Sequence, residues 1–321
     1  MPRKVLITVS PVYERSIGRV ITRLEKAGCE VFYLGRPDEG LPEQELLELL
    51  RGVEIYLVGN ASVPRRVIEG SPQLTLINKY GAGVDNIDLA AAREQDIEVA
   101  NAPGGNAVSV AEMTIGLMIC LLRRLKQVES SLREGGWRLT MGGELSGRTL
   151  GIVGLGHIGK EVAARARAFG MRVLANDIVD YPVFCRQFQV EPAVLDRLLS
   201  EADVLSLHVP LTPLTRHMIG EAQLARLHPG SILIHTARGG VVDEQALCRA
   251  LTHGPLAAAA LDVFEQEPLG SSPLRTLENL ILTPHIAGIT YEAAERIADR
   301  SLNNVLAHLA GQPPPYRVNK R

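Results

Sequence analysis

The chain has 321 residues, 34 Lys plus Arg against 36 Asp plus Glu, a net charge of −2, and 46% hydrophobic, 22% charged and 4% aromatic residues. This balance offers no basic footprint for a polyanion and few rings for stacking bases, which excludes nucleic acid as a partner. The longest uncharged apolar stretch, Met113 to Leu122, falls short of the roughly 20 residues that cross a bilayer, and the Val5–Val9 run is too short for a secretory signal, so no membrane is expected.

At about 150 residues per domain, the length suggests two domains. Strands are expected at 4–9, 30–34, 54–58, 74–78 and 97–100, with helices at 14–27, 43–50 and 89–94. Val5-Leu6-Ile7 is apolar throughout, which suits a parallel sheet covered on both faces and joined by right-handed crossovers. A long helix is expected from Ala107 to about Arg133, and its apolar 114–122 face reads as core or subunit contact. Further strands follow at 149–153, 172–176, 204–208, 231–235, 257–263 and 280–283, with helices notably at 158–169 and 243–251. The last helix, 291–309, stops at Gly311 before Pro313-Pro314-Pro315, and the tail cations Arg317, Lys320 and Arg321 read as a solvated end. The fold class is α/β with two doubly wound parallel-sheet domains. Turn formers at Asn101–Gly105 and around Gly288 mark the boundaries.

The sharpest local feature is Gly154-Leu155-Gly156-His157-Ile158-Gly159, placed after an apolar strand and opening a helix. In such a turn the first glycine permits the bend and the second lets backbone approach a pyrophosphate. The third lets helix pack on strand, while the helix start offers N–H groups to the anion. Asp177 ends the next strand about 20 residues further on, where an acceptor for a ribose 2′-hydroxyl belongs. A carboxylate there favours NAD over NADP, and no Arg follows within 178–181 to offset it. Gly154 to Lys160 also fits the start of a nucleotide triphosphatase loop, but Glu161 stands where Ser or Thr would bind magnesium, so that reading is rejected.

Ligands of doubly wound sheets bind beyond the carboxyl ends of the strands, and three polar residues follow late strands there: Arg238, Glu267 and His285. For hydride chemistry on a 2-oxo acid, a guanidinium grips the carboxylate and polarises the carbonyl. An imidazole supplies the proton, and a carboxylate orients the imidazole and raises its pKa. Taken singly, each has a plain alternative: a helix-capping Arg238, a solvated loop at Glu267, a core histidine at His285. Their joint placement at strand ends favours the catalytic set. His208 also ends a strand and can border the cofactor, whereas His217, His228, His253 and His308 fall in turn or helix contexts. Cys29, Cys120, Cys185 and Cys248 lie far apart, without Cys-x-x-Cys or a nearby His in ligand spacing. They read as reduced thiols of a cytoplasmic protein with no metal site.

The ordered motifs Lys79-Tyr80-Gly81-Ala82-Gly83-Val84-Asp85-Asn86-Ile87-Asp88, Asn106–Glu112, the glycine turn, Thr236-Ala237-Arg238-Gly239-Gly240, Ala260–Phe264 with Glu267-Pro268, and Thr283–Gly288 span nearly the whole chain. Through them it resembles the D-isomer-specific 2-hydroxyacid dehydrogenases, closest to the phosphoglycerate dehydrogenase-like branch. The resemblance implies Arg238, Glu267 and His285 as the catalytic set, and backbone at Ala82 and Gly83, with Lys79 nearby, for the substrate carboxylate. It implies Gly154, Gly156, His157, Ile158, Gly159, Asp177, Val209, Thr236, Ala237, Arg238, Asp262, His285 and Gly288 around NAD. It further implies a Rossmann domain, 102–288, inserted in a flavodoxin-like substrate domain of 1–101 with 289–321, and a homodimer formed through the nucleotide domain.

The expected activity is NAD-dependent interconversion of a small D-2-hydroxy acid and its 2-oxo acid. Glyoxylate or hydroxypyruvate reduction stands as the alternative to 3-phosphoglycerate oxidation. For a substrate phosphate the sequence offers Lys79, Arg65, Arg66 and Arg138, all of which also fit as surface charges. A non-enzymatic NAD-sensing interaction protein of the same fold is a second reading, because a dinucleotide fold does not fix function. Formate dehydrogenase-like chemistry is disfavoured by Glu267. Two departures from the family stand out: His235 occupies a place where Asn is common, and no regulatory domain is expected after Arg321.

Overall fold

A computed structural model describes residues 2–137 and 139–319; Met1, the prospective phosphate ligand Arg138 and the tail cations Lys320 and Arg321 lie outside the described residues. The chain divides into two compact units, 1–106 with 289–321 and 107–288.

From the N-terminus run β1 (Arg3–Thr8), α1 (Glu14–Lys26), β2 (Cys29–Tyr33), α2 (Glu43–Leu49), β3 (Ile55–Val58), α3 (Arg65–Glu69), β4 (Leu76–Lys79), α4 (Leu89–Glu94) and β5 (Glu98–Ala100). The second unit holds α5 (Ala107–Leu122), α6 (Leu125–Arg133), β6 (Thr149–Val153), α7 (His157–Ala168), β7 (Arg172–Asn176), α8 (Pro182–Phe188) and β8 (Val190–Pro192). It continues with α9 (Leu195–Glu201), β9 (Val204–Leu207), α10 (Glu221–Leu224), β10 (Ser231–His235), α11 (Glu244–Thr252), β11 (Leu256–Leu261) and β12 (Leu280–Leu282). The chain then returns to the first unit as α12 (Tyr291–Leu309).

The first unit's sheet is parallel in the order β2-β1-β3-β4-β5, the flavodoxin-like arrangement. Its apolar strands are explained by burial on both faces. Leu6, Tyr56, Val58 and Ile77 enter one core, and their neighbours Val5, Ile7, Ile55, Leu57 and Leu76 enter the other. Helix α1 turns Ile17, Val20 and Leu24 onto that second core, and α12 adds Ile297, Ala298, Leu302 and Val305 to it. The buried Asn304 ties α12 down, donating to Asn78 Oδ1 (2.8 Å) and to the Asn101 carbonyl (2.9 Å).

The second unit's sheet is also parallel, in the order β12-β11-β10-β9-β6-β7-β8. This is the Rossmann arrangement with one further strand, and its order reverses between β6 and β9. Again the strands serve two cores. Val153, Leu205, Leu207, Leu233 and Leu261 face one way, and Leu150, Ile152, Val204, Ile232 and Ile234 the other.

Two sequence expectations shift. The first unit runs on to Asn106 instead of ending at 101, because Ala102 is buried in its core and donates to the Gly81 carbonyl (2.8 Å). The carbonyls of Pro103 and Gly105 also accept from Arg300 (2.5 Å) and Arg296 (2.8 Å) of α12. The single helix expected over 107–133 is two, broken where Arg124 adopts a left-handed φ of 51°. There the Leu122 carbonyl accepts from the Gly143 N–H (2.9 Å) in place of a further helical turn.

Candidate active site

The loop after β6 shows why its glycines stand where they do. Gly154 has φ 98°, and a Cβ on it would lie 2.7 Å from the His208 carbonyl and 2.9 Å from Val209 Cγ1. A Cβ on Gly159 would lie 2.1 Å from the Gly154 carbonyl oxygen, so only glycine lets α7 approach the turn. Gly156 differs: its φ is −72°, and a Cβ there would meet no heavy atom within 4 Å. The chain itself gives no steric reason for that glycine, and space for a ligand supplies one. No side chain caps α7 at Gly156, which leaves its first N–H groups to an anion.

Asp177, just past β7, accepts from Leu155 N–H of the turn at Oδ2 (2.5 Å) and from Val179 N–H at Oδ1 (2.9 Å). Its carboxylate therefore sits beside the glycine turn. His157 is exposed at the start of α7, and Ile158 packs half-buried on the core beneath it. These residues fit a dinucleotide: a cradle with space for a pyrophosphate, a helix start facing it and an acid for a ribose.

The polar groups of the later strands converge in the same unit. A Cβ on Gly239 would lie 1.7 Å from the Phe264 carbonyl oxygen, so the backbone after Arg238 presses directly on the loop that carries Glu267. Glu267 Oε1 accepts from Phe264 N–H (3.0 Å), and Oε2 accepts from His285 Nδ1 (2.7 Å). Burial pushes the Glu267 carboxyl up, but the His285 hydrogen bond and charge, Phe264 N–H and the Arg238 charge outweigh it and hold it below the ordinary range. Arg238 Nη1 donates to the Ala237 carbonyl (2.7 Å). The side chains of Glu267 and His285 remain 35% and 42% exposed, so a small molecule can reach them.

His285 has a left-handed φ of 54°, uncommon for a residue with a side chain. Asp262 holds it there. The His285 N–H donates to the Asp262 carbonyl (2.9 Å), and the buried Asp262 carboxylate accepts from Thr283 Oγ1 (2.6 Å), Ile286 N–H and Ala287 N–H (both 2.9 Å). Asp262 thus shapes the His285 loop with both oxygens already engaged. Ala237 is buried, Thr236 is buried with its hydroxyl 3.3 Å from that of Thr114, and Gly288 is half-buried.

In the first unit, the Gly81–Gly83 turn is anchored by its carbonyls. Ala82 O accepts from Asn101 Nδ2 (2.6 Å) and Gly81 O from Ala102 N–H (2.8 Å). Among the described residues no oxygen accepts from the N–H groups of Ala82 and Gly83, a pairing suited to an anion. Lys79 is 6% exposed and turns its ammonium inward, to the Gly59 carbonyl and Asn60 Oδ1.

Sequence reasoning did not foresee the surroundings of His235. It is 2% exposed, and neither ring nitrogen has a hydrogen-bond partner among the described residues. Burial pushes it down to about 4, with the Arg238 backbone and the Glu267 charge acting the other way. Burial also pushes His208 down, with the neighbouring His235 adding to it; its Nε2 lies 2.8 Å from Ser206 Oγ, and Nδ1 has no partner among the described residues. The departure from Asn at 235 was the only sequence signal. Among the described residues, no group of three or more His, Cys, Asp or Glu could hold a metal ion, and no helix is long and apolar enough to cross a membrane.

Residues 115–287 match the family model described as D-isomer specific 2-hydroxyacid dehydrogenase, NAD binding domain. The chain belongs to the D-isomer specific 2-hydroxyacid dehydrogenases. NAD is accordingly the cofactor of this family member's second unit, in keeping with the cradle and Asp177. Among curated relatives, it is 45% identical over 284 residues to D-3-phosphoglycerate dehydrogenase of Methanocaldococcus jannaschii, a match covering 87% of this chain and 54% of that protein. The chain thus spans about half the length of that relative. It is 42% identical over 265 residues to glyoxylate reductase of Korarchaeum cryptofilum, covering 80% of each. The structure of D-lactate dehydrogenase from Aquifex aeolicus, complexed with NAD and lactic acid, superposes with a TM-score of 0.87 at 31% identity, covering 99% of this chain and 100% of that one.

Proposed function

We propose that this chain interconverts a D-2-hydroxy acid and its 2-oxo acid with NAD, using Arg238, Glu267 and His285. The observation that carries the reading is the Glu267–His285 pair, 2.7 Å apart and partly exposed, with the Arg238 charge bearing on it. An ionised carboxylate only accepts, so Glu267 fixes the proton of His285 on Nδ1 and leaves Nε2 for the substrate oxygen. In the reductive direction Nε2 gives its proton to the forming hydroxyl, and Glu267 steadies the ring's charge beforehand. Arg238 donates to the Ala237 carbonyl, and a guanidinium's fork of five N–H donors suits it to hold a carboxylate and polarise the neighbouring carbonyl. The Ala82 and Gly83 N–H groups serve the substrate carboxylate. Bound at the glycine turn, NAD supplies the hydride acceptor or donor.

A second copy of the chain is the partner we assign to α6 and the segment after it. Helix α6 buries none of its residues, and Trp137, Leu139 and Met141 are 85%, 90% and 91% exposed. Four free cysteines suit a reducing compartment, which favours the cytoplasm.

Absorbance at 340 nm, with NADH against NADPH over a panel of 2-oxo acids, tests the activity. Sustained NADH oxidation with at least one acid is expected. Its absence across the panel would favour the NAD-sensing reading.

A further inference from the structure

The first unit's strand order reverses between β1 and β3, the place where open α/β sheets bind ligands, and a buried polar cluster lies there. Asp38 is fully buried. Its Oδ2 accepts from Ala61 N–H (3.0 Å) and from Thr8 Oγ1 (3.3 Å), while Oδ1 has no partner among the described residues. Thr8 Oγ1 is also 2.7 Å from the Tyr56 hydroxyl. A Cβ on Gly59 would lie 2.8 Å from the Asp38 carboxylate and 2.9 Å from the Thr8 carbonyl, so the 59–61 turn is pressed onto that acid. The outer side of the turn binds Lys79, whose ammonium donates to the Gly59 carbonyl and to Asn60 Oδ1. Asn86 Nδ2 secures the turn through the carbonyls of Gly59 (3.3 Å) and Ala61 (2.7 Å).

We propose that Asp38 is a specificity-determining residue that holds the Lys79 ammonium on the 59–61 turn, so that the site takes a small acid with one carboxylate and not a phosphate ester. The inference rests on the reading that the 79–83 segment receives the substrate. A phosphate needs a cation with hydrogen bonds to give. Lys79 already gives hydrogen bonds to the Gly59 carbonyl and Asn60 Oδ1, and its charge bears on Asp38, whose carboxyl burial holds above the ordinary range although Ala61 and Asn60 N–H and the Lys79 charge act the other way. Two of the other cations suggested for a phosphate are engaged as well. Arg65 pairs with Glu94 (2.5 Å) and Glu69 (3.2 Å), and Arg66 lies 4.0 Å from Glu43. The two N–H groups of Ala82 and Gly83 match a single carboxylate.

Two measurements test this. The first is reductive methylation of the folded protein by formaldehyde and borohydride, read peptide by peptide in a mass spectrometer. Lys79 should react about tenfold more slowly than the exposed Lys26, and Asp38→Asn should largely abolish that protection. The second compares kcat/KM for hydroxypyruvate and its 3-phosphate. The wild type should prefer the unphosphorylated acid by about 100-fold, and Asp38→Asn should cut the preference about tenfold, through KM. Lys79 reacting as fast as Lys26 in the wild type, or a wild-type preference for the phosphate ester, would overturn the proposal. Turnover of neither acid would instead sink the proposed activity, and methylation would still decide whether Lys79 is held; its outcome does not depend on Asp38→Asn folding.

Discussion

Glu267 Oε2 and His285 Nδ1 meet at 2.7 Å, and that contact leaves Nε2 as the ring nitrogen with no partner among the described residues. His285→Ala should lower kcat by about 100-fold or more while leaving NADH binding, measured by fluorescence titration, largely intact. Glu267→Gln keeps the shape and loses the charge, so a fall of about 10- to 100-fold is expected. Near-normal kcat in the His285 variant would remove it from the proton transfer.

Asp177 should decide between the two nicotinamide cofactors. Its carboxylate is steadied by Leu155 and Val179 N–H groups, beside the cradle formed by Gly154, Gly156 and Gly159. Asp177→Ala should raise KM for NADH about tenfold and narrow the gap to NADPH, whose 2′-phosphate would no longer meet a carboxylate. A selectivity unaltered by the substitution would show that the acid does not read the ribose.

His235 makes stability depend on pH in a definite direction. Its ring is held neutral, with a pKa of about 4 against an ordinary value near 6.5. Between those values the unfolded chain binds more protons than the folded one, so stability is fully present above pH 6.5 and is lost as pH falls toward 4. From pH 7 to pH 5 the loss from this residue is about 2 kcal/mol. Denaturant titrations at the two pH values should show it in the wild type and a smaller difference in His235→Asn. Equal differences in both proteins would contradict a buried neutral ring.

The glycine turn and Asp177 were legible in the sequence because their chemistry is local: a strand, three glycines, a helix and one acid in fixed order. Arg238, Glu267 and His285 were legible from their places after strands, since β10, β11 and β12 pair in parallel and bring those ends to one edge. The role of Asp262 was not, because its partners at 283–287 are joined to it only through the fold. Nor was the inward turn of Lys79, whose acceptors lie on the 59–61 turn after another strand. The break at Arg124 escaped notice because the apolar spacing runs on through it, while the partner that ends α5 is Gly143.

The interleaved connectivity has a consequence for biosynthesis. Helix α12 completes the first unit's core and clasps β4 and the Asn101 backbone through Asn304, yet it is translated only after all of residues 107–288. On the ribosome the N-terminal sheet must wait with one side unfinished while the inserted Rossmann segment, continuous in the chain, is free to fold first. The nascent protein is then most vulnerable to aggregation before Ile297, Leu302 and Val305 emerge from the exit tunnel to cover that side.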